Sequence, residues 1–152
     1  MQPRLNPYAA APELMNAMMA LEKAIAASGL ERSLIDLAKI RASQINGCAY
    51  CLHMHTHEAR AHGETEERLH VLAAWHESPL YNERERAVLA WTEAVTRVAE
   101  THIPDAVYRE ARQQFDEREL VKLTLAITTI NAWNRIAIGF RMVHPVGKSA
   151  AA

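Results

Sequence analysis

The segment running from Asp116 to about position 143 constrains the fold most. Leu120, Ile127, Ile130, Trp133, Ile136, Ile138 and Phe140 spread apolar surface around most of a helical circumference. Such a helix has to be covered on several sides, and a chain of 152 residues has few other elements to cover it with. Packing between subunits supplies the missing cover, so a homo-oligomer is expected. A central helix inside a monomeric bundle is the alternative.

The rest of the chain reads as helix too. Glycine is scarce, at five residues, and apolar side chains recur at spacings of three and four rather than two. Helices are expected over residues 12–28 (with Leu14, Met18, Leu21 and Ile25, closed by Gly29), 33–43 (Leu34, Leu37 and Ala38 inward), 48–61, 64–75, 82–100, 104–113 and 116–143. Asn82 with Glu85, and Asp116 with Glu119, each set an N-cap residue three positions before a glutamate, the capping-box spacing. Ser33 with Asp36 resembles the same device with aspartate in the third place. The expected class is all-α, a single domain over residues 1–152 with a frayed tail at about 147–152.

Composition narrows the partners. The formal net charge is -1, and Lys and Arg form no dense block, so neither nucleic acid nor an anionic membrane surface is indicated. No stretch reaches the roughly 18 uninterrupted apolar residues of a membrane span, and the first residues lack a basic segment followed by an apolar run. A cytoplasmic setting is the expectation, with small molecules or proteins as partners.

Chemistry concentrates in Cys48-Ala-Tyr-Cys51-Leu-His53-Met-His55, which holds both cysteines of the chain. Asn46-Gly47 breaks the preceding helix and puts both thiols in the first turn of the next, where unpaired amide N–H groups and the helix dipole stabilise a thiolate at either position. At about 100° per residue Cys51 lies roughly 60° from Cys48 with His55 between them in projection, so two sulfurs and an imidazole share one stripe. His53 and His57 point elsewhere. A thiolate is the form that attacks peroxide or disulfide, and a second thiol one turn away can condense with the resulting sulfenic acid. So short a loop constrains the unfolded chain little, which makes the pair a poor staple and favours a chemical use. Two inert buried cysteines are the plain structural reading.

The stretch Arg41-Ala-Ser-Gln-Ile-Asn-Gly-Cys48-Ala-Tyr-Cys51, followed by Met54-His55 and Glu58-Ala59-Arg60, resembles the signature of the AhpD-like alkylhydroperoxidases of the carboxymuconolactone decarboxylase superfamily. Tyr81 to Arg86, Ala90 to Glu93, Leu123 to Ile127 and Ile130 to Arg135 extend the likeness over most of residues 30–143. The resemblance implies a helical, homo-oligomeric AhpD-like bundle. It also implies reduction of an organic hydroperoxide, with re-reduction by an external dithiol such as a thioredoxin-like or lipoyl protein. Carried onto matching positions, Cys51 is the peroxidatic cysteine, His55 relays its proton and Cys48 resolves. The family's acceptor glutamate, twelve residues before the first cysteine, is replaced here by Asp36. Glu93, in Trp91-Thr92-Glu93, is the other candidate acid, and Tyr50 between the cysteines occupies a place suited to a further proton donor.

Two other function classes stand beside this one. A lactone decarboxylase-like enzyme would have no need of the thiols. A metal or interaction module would use His53, His55, His57 and His62 with the cysteines, yet a His-x-His-x-His run spreads its rings around a helix axis. No metal and no cofactor are expected.

Overall fold

The computed structural model describes residues 2–145; the tail expected to fray lies outside them. Among the described residues the architecture is helical: α1 (Pro7–Ala10), α2 (Pro12–Ala26), α3 (Arg32–Asn46), α4 (Ala49–Ala61), α5 (Glu66–Val71) running on into a 3₁₀ turn at Leu72–Ala74, α6 (Glu83–Thr96), α7 (Val98–Thr101), α8 (Asp105–Gln114) and α9 (Glu117–Phe140).

The starts of these helices follow from their caps. Asn82 and Asp116 form complete capping boxes with Glu85 and Glu119, each satisfying two orphan donors at a helix start. The Ser33–Asp36 spacing is no such box. Helix α3 begins earlier, with Glu31 at the cap position making no side-chain cap bond, and the Asp36 carboxylate is turned to His62. The expected helix over residues 82–100 is interrupted at Arg97, whose backbone (φ -101, ψ 34) leaves the helical region. The expected helix over 64–75 is a shorter α-helix tightened into 3₁₀ at its end.

The middle of the bundle is α3 rather than α9. Helix α3 packs on α4, α6 and α9 and buries Leu34, Ile35, Leu37, Ala38, Ile40, Ala42 and Ser43. Helix α9 lies beside it with an inward stripe of Leu120, Leu123, Ile127, Ile130, Asn134 and Ala137, the spacing of one helical face. Leu123, Ile127 and Ile130 have no exposed surface, so each contributes about 1.5–3 kcal/mol by burial. The opposite face of α9 is uncovered: Val121, Leu125 and Ile138 are exposed. No described helix is long and apolar enough to cross a membrane.

Two buried asparagines of α9 fix the α3–α4 corner. Asn46, the last residue of α3, donates its side-chain amide to Asn131 (2.9 Å) and Asn134 (2.8 Å). Asn134 in turn donates to Ser43 (3.0 Å). Gly47 then adopts a left-handed conformation (φ 68, ψ 32), which glycine alone takes up without steric cost. The chain is thereby reversed so that the Cys48 N–H returns to the Ser43 carbonyl at 3.0 Å.

Candidate active site

Cys48 is the N-cap of α4. Its extended backbone (φ -86, ψ 95) turns the sulfur back over the first turn, where it accepts from the Cys51 N–H. Cys51 sits one turn on, and the two sulfurs are in hydrogen-bond contact at 2.7 Å as free thiols. Both are buried, 1% and 2% exposed.

The pair holds one proton loosely and one tightly. The Cys48 thiol falls to about 7 because the Cys51 S–H donates to its thiolate. Burial opposes this, while the Cys51 and Tyr50 N–H groups and the Asn134 amide assist it. Cys51 is raised by the negative charge and hydrogen bond at Cys48 and by burial. The first ionisation belongs to the pair, with the retained proton held on Cys51. The asparagine corner of the fold therefore takes part in setting the chemistry at the thiols.

Access divides the sulfurs the other way. A cavity of about 290 Å³ is bordered by Cys51 and His55 but not by Cys48. Tyr8, Met19, Met54, Trp133 and Met142 give it apolar walls, and Tyr50 also lines it. Burial and the nearby Tyr50 hydroxyl push the Tyr8 phenol up. One side is charged. Lys39 pairs with Glu22 at 2.6 Å, and Trp133 donates its indole N–H to the same glutamate at 3.1 Å.

His55 is 4% exposed and lies one turn beyond Cys51 on the cavity side of α4. Its Nδ1 is 2.9 Å from the Glu58 carboxylate. Among the described residues no other protein hydrogen bond engages the ring, and none joins it directly to the Cys51 sulfur. Glu58 is held below the usual carboxylate range, chiefly by its hydrogen bond from His55 against the opposing effect of burial, with lesser help from the charges of His55, Lys39 and His62.

Of the residues singled out in the sequence, Cys48, Cys51 and His55 are brought together. The two acids are not. Asp36 pairs with His62 at 2.7 Å, and His62 also meets Arg32 at 3.0 Å, beside the cavity rather than in its lining. Glu93 is bound by Arg41 (2.9 and 2.8 Å) and the Trp75 indole (2.8 Å) on the α3–α6 side. Burial pushes its carboxyl up, but the Trp75 and Arg41 bonds outweigh this and hold it low. An acid neutralised this way is a structural tie. The carboxylate that does reach His55, Glu58, carries an i,i+3 spacing from the histidine that was open to reading. Elsewhere on α4, His53 stacks on His144 at 4.5 Å between ring centres and His57 is exposed.

A helical bundle presenting a Cys-x-x-Cys pair at a helix start, against a mixed apolar and charged cavity, defines the class. The sequence profile of the carboxymuconolactone decarboxylase family matches residues 12–94, and the chain belongs to that family, as an AhpD-like member. The uncharacterized protein YdfG of Bacillus subtilis is 44% identical over 138 residues, covering 91% of this chain and 94% of its own. A solved Agrobacterium tumefaciens structure is similar with a TM-score of 0.94 and 49% identity, over 96% of this chain and all of its own. That protein, of unknown function, carries the suggestion of an antioxidant defence protein AhpD. The debrominase Bmp8 in its apo form shares the fold (TM-score 0.80, 23% identity, 89% of this chain and 73% of its own).

Proposed function

We propose that the protein is a thiol peroxidase that reduces organic hydroperoxides through a dithiol–disulfide cycle of Cys51 and Cys48. The observation that carries this reading is the contact of the two free sulfurs with one of them, beside His55, bordering a cavity with apolar walls. The antioxidant suggestion attached to the Agrobacterium tumefaciens relative supports it.

In the cycle, Cys51 loses its proton to His55 or to Cys48 as its sulfur attacks the terminal oxygen of the hydroperoxide. The O–O bond breaks, the alkoxide takes up a proton and leaves as alcohol, and Cys51 becomes a sulfenic acid. The Cys48 thiolate then attacks that sulfur. Its hydroxyl leaves as water with one further proton, and a disulfide closes. Two electrons have passed from the pair to the peroxide. An external dithiol, a thioredoxin-like or lipoyl protein in a reducing cytoplasm, returns two electrons and two protons. Cys48 suits the resolving step because it is the more acidic sulfur, and Cys51 suits the attack because it borders the cavity. The uncovered face of α9, with Val121 and Leu125, supports assembly as a homo-oligomer.

One equivalent of cumene hydroperoxide, followed by intact mass and thiol titration, tests the proposal. Wild type is expected to lose two protons and both thiols, and Cys48→Ser to trap a sulfenic acid on Cys51. Trapping in Cys51→Ser instead would exchange the two roles. Thiols untouched by peroxide, together with lactone turnover in a cysteine-free variant, would move the assignment to the decarboxylase branch.

A further inference from the structure

The geometry points to Glu58 as the positioning residue for His55: its carboxylate holds Nδ1 as the protonated nitrogen and leaves Nε2 free to act as the base. This deepens the peroxidase reading and rests on it for its consequence, though not for its geometry.

The argument starts from one stripe of α4. Cys51, His55, Glu58 and His62 follow at intervals of four, three and four residues, the spacing that lays side chains one above another along a helix. Within that stripe the His55–Glu58 contact of 2.9 Å is the only hydrogen bond the ring makes among the described residues. An ionised carboxylate accepts and cannot donate, so Nδ1 must carry the proton. The neutral ring then has its lone pair on Nε2, the nitrogen a base needs free.

Asp36, the residue at the place of the family's acceptor acid, makes no hydrogen bond to this ring and is engaged through its Oδ2 by His62 at 2.7 Å. Glu58 stands where the task is performed. It borders the cavity together with His55, while a second cavity of about 320 Å³ has Glu58, Glu22, Lys39, Asp36, Arg32 and His62 among its lining. Glu58, with Glu22 and Lys39, lines both cavities. The groups facing it are His55 on α4, His62 just past the end of α4 and Lys39 on α3, with Glu22 of α2 tied to Lys39. The depressed carboxyl of Glu58 fits an acceptor that stays ionised beside the ring.

The test compares wild type, Glu58→Ala, Glu58→Gln and Glu58→Asp. Two-dimensional ¹H–¹⁵N spectra of the histidine rings report the tautomer of His55, and stopped-flow thiol loss with cumene hydroperoxide from pH 5 to 9 reports reactivity. The Nδ1–H tautomer is expected in wild type and in Glu58→Asp, and a shift toward Nε2–H in Glu58→Ala. Peroxide-driven thiol loss should fall about tenfold to a hundredfold in Glu58→Ala, by analogy with the loss of the carboxylate that orients a metal-bound histidine, with partial recovery in Glu58→Asp. Glu58→Gln keeps the shape without the charge, and its rate should fall with that of Glu58→Ala rather than recover with Glu58→Asp. Glu58 is about half exposed, so these variants should fold. An Nε2–H tautomer in wild type, or Glu58→Ala matching wild type in rate and pH profile, overturns the assignment. Wild-type thiols inert to peroxide would sink the peroxidase reading while the spectra still judged Glu58.

Discussion

Removing the Cys51 thiol should raise the midpoint at which Cys48 ionises by most of the interval from about 7 to 9.0, because the Cys51 S–H is the largest of the influences that lower it. At pH 7 a thiol with its midpoint near 7 is about half thiolate, whereas one near 9 is roughly one part in a hundred. Alkylation of Cys48 by iodoacetamide at pH 7 should therefore slow by a factor on the order of ten or more in Cys51→Ala, once corrected for the easier access the variant allows. The ultraviolet absorbance of thiolate gives the same midpoint without a reagent. In wild type it should rise by one equivalent around pH 7 and show no second step through pH 9, since Cys51 is held protonated by its neighbour. Two equivalents titrating together near 9, or a midpoint unmoved in Cys51→Ala, would refute the shared-proton argument.

The same pair makes stability depend on pH, with a sign that can be worked out. Cys48 has a folded-state value below its unfolded one, so its contribution is present at high pH and is lost as pH falls through about 7. From pH 6 to 8 the folded state binds fewer protons than the unfolded state, and the gain should be about 1 kcal/mol by linkage. Above about 9 the sign reverses, because an unfolded chain releases the Cys51 proton that the folded one keeps. Urea unfolding of the reduced protein across this range, with Cys48→Ser as reference, isolates the term.

Three further outcomes follow from the packing. Glu93→Gln breaks the ion pair to Arg41 and weakens the bond from Trp75, and should cost about 1–3 kcal/mol in denaturant unfolding while leaving peroxide-driven thiol loss unchanged; a dead but fully stable variant would restore Glu93 to the reaction. Asn134→Ala unties Asn46 and Ser43, so it should destabilise by a similar amount and raise the Cys48 midpoint seen in the thiolate absorbance. Asp116→Ala removes the cap of α9 and should cost about 1 kcal/mol, read as a lower Tm with the thiol titration unaltered.

What the sequence disclosed, and what it did not, divides along the range of the interactions. Capping boxes at Asn82 and Asp116 and the breaks at Gly29, Gly47 and Gly63 are local, and each stands where a short window places it. The shared stripe of Cys51 and His55 is local too. The central place of α3 was hidden because its sequence is polar: Asp36, Lys39, Arg41 and Gln44 interrupt the apolar run. Those charges are admitted to the interior only because Lys39 finds Glu22, Arg41 finds Glu93 and Asp36 finds His62, partners 17, 52 and 26 residues away. Apolar α9 advertised itself as the centre for the converse reason, since an uncovered Val121 or Leu125 looks the same in sequence as a buried one. Asn134 likewise acts on Cys48 from far along the chain.

The two sulfurs differ because of which way one corner faces. An N-cap side chain folds back onto the amides of the first turn, so Cys48 acquires the N–H groups that favour a thiolate and is kept from the cavity by the same turn. Cys51, whose own N–H is donated to the Cys48 sulfur, meets the cavity and has the Asn134 amide alone to favour its thiolate. Acidity and access are thereby separated by a single helical turn. On the proposed peroxidase cycle a base beside Cys51 becomes necessary for that sulfur to attack, and His55, bonded to a carboxylate, is the group on the same stripe. The requirement arises from the Asn46-Gly47-Cys48 corner itself, which holds the two thiols in unlike surroundings before any peroxide arrives.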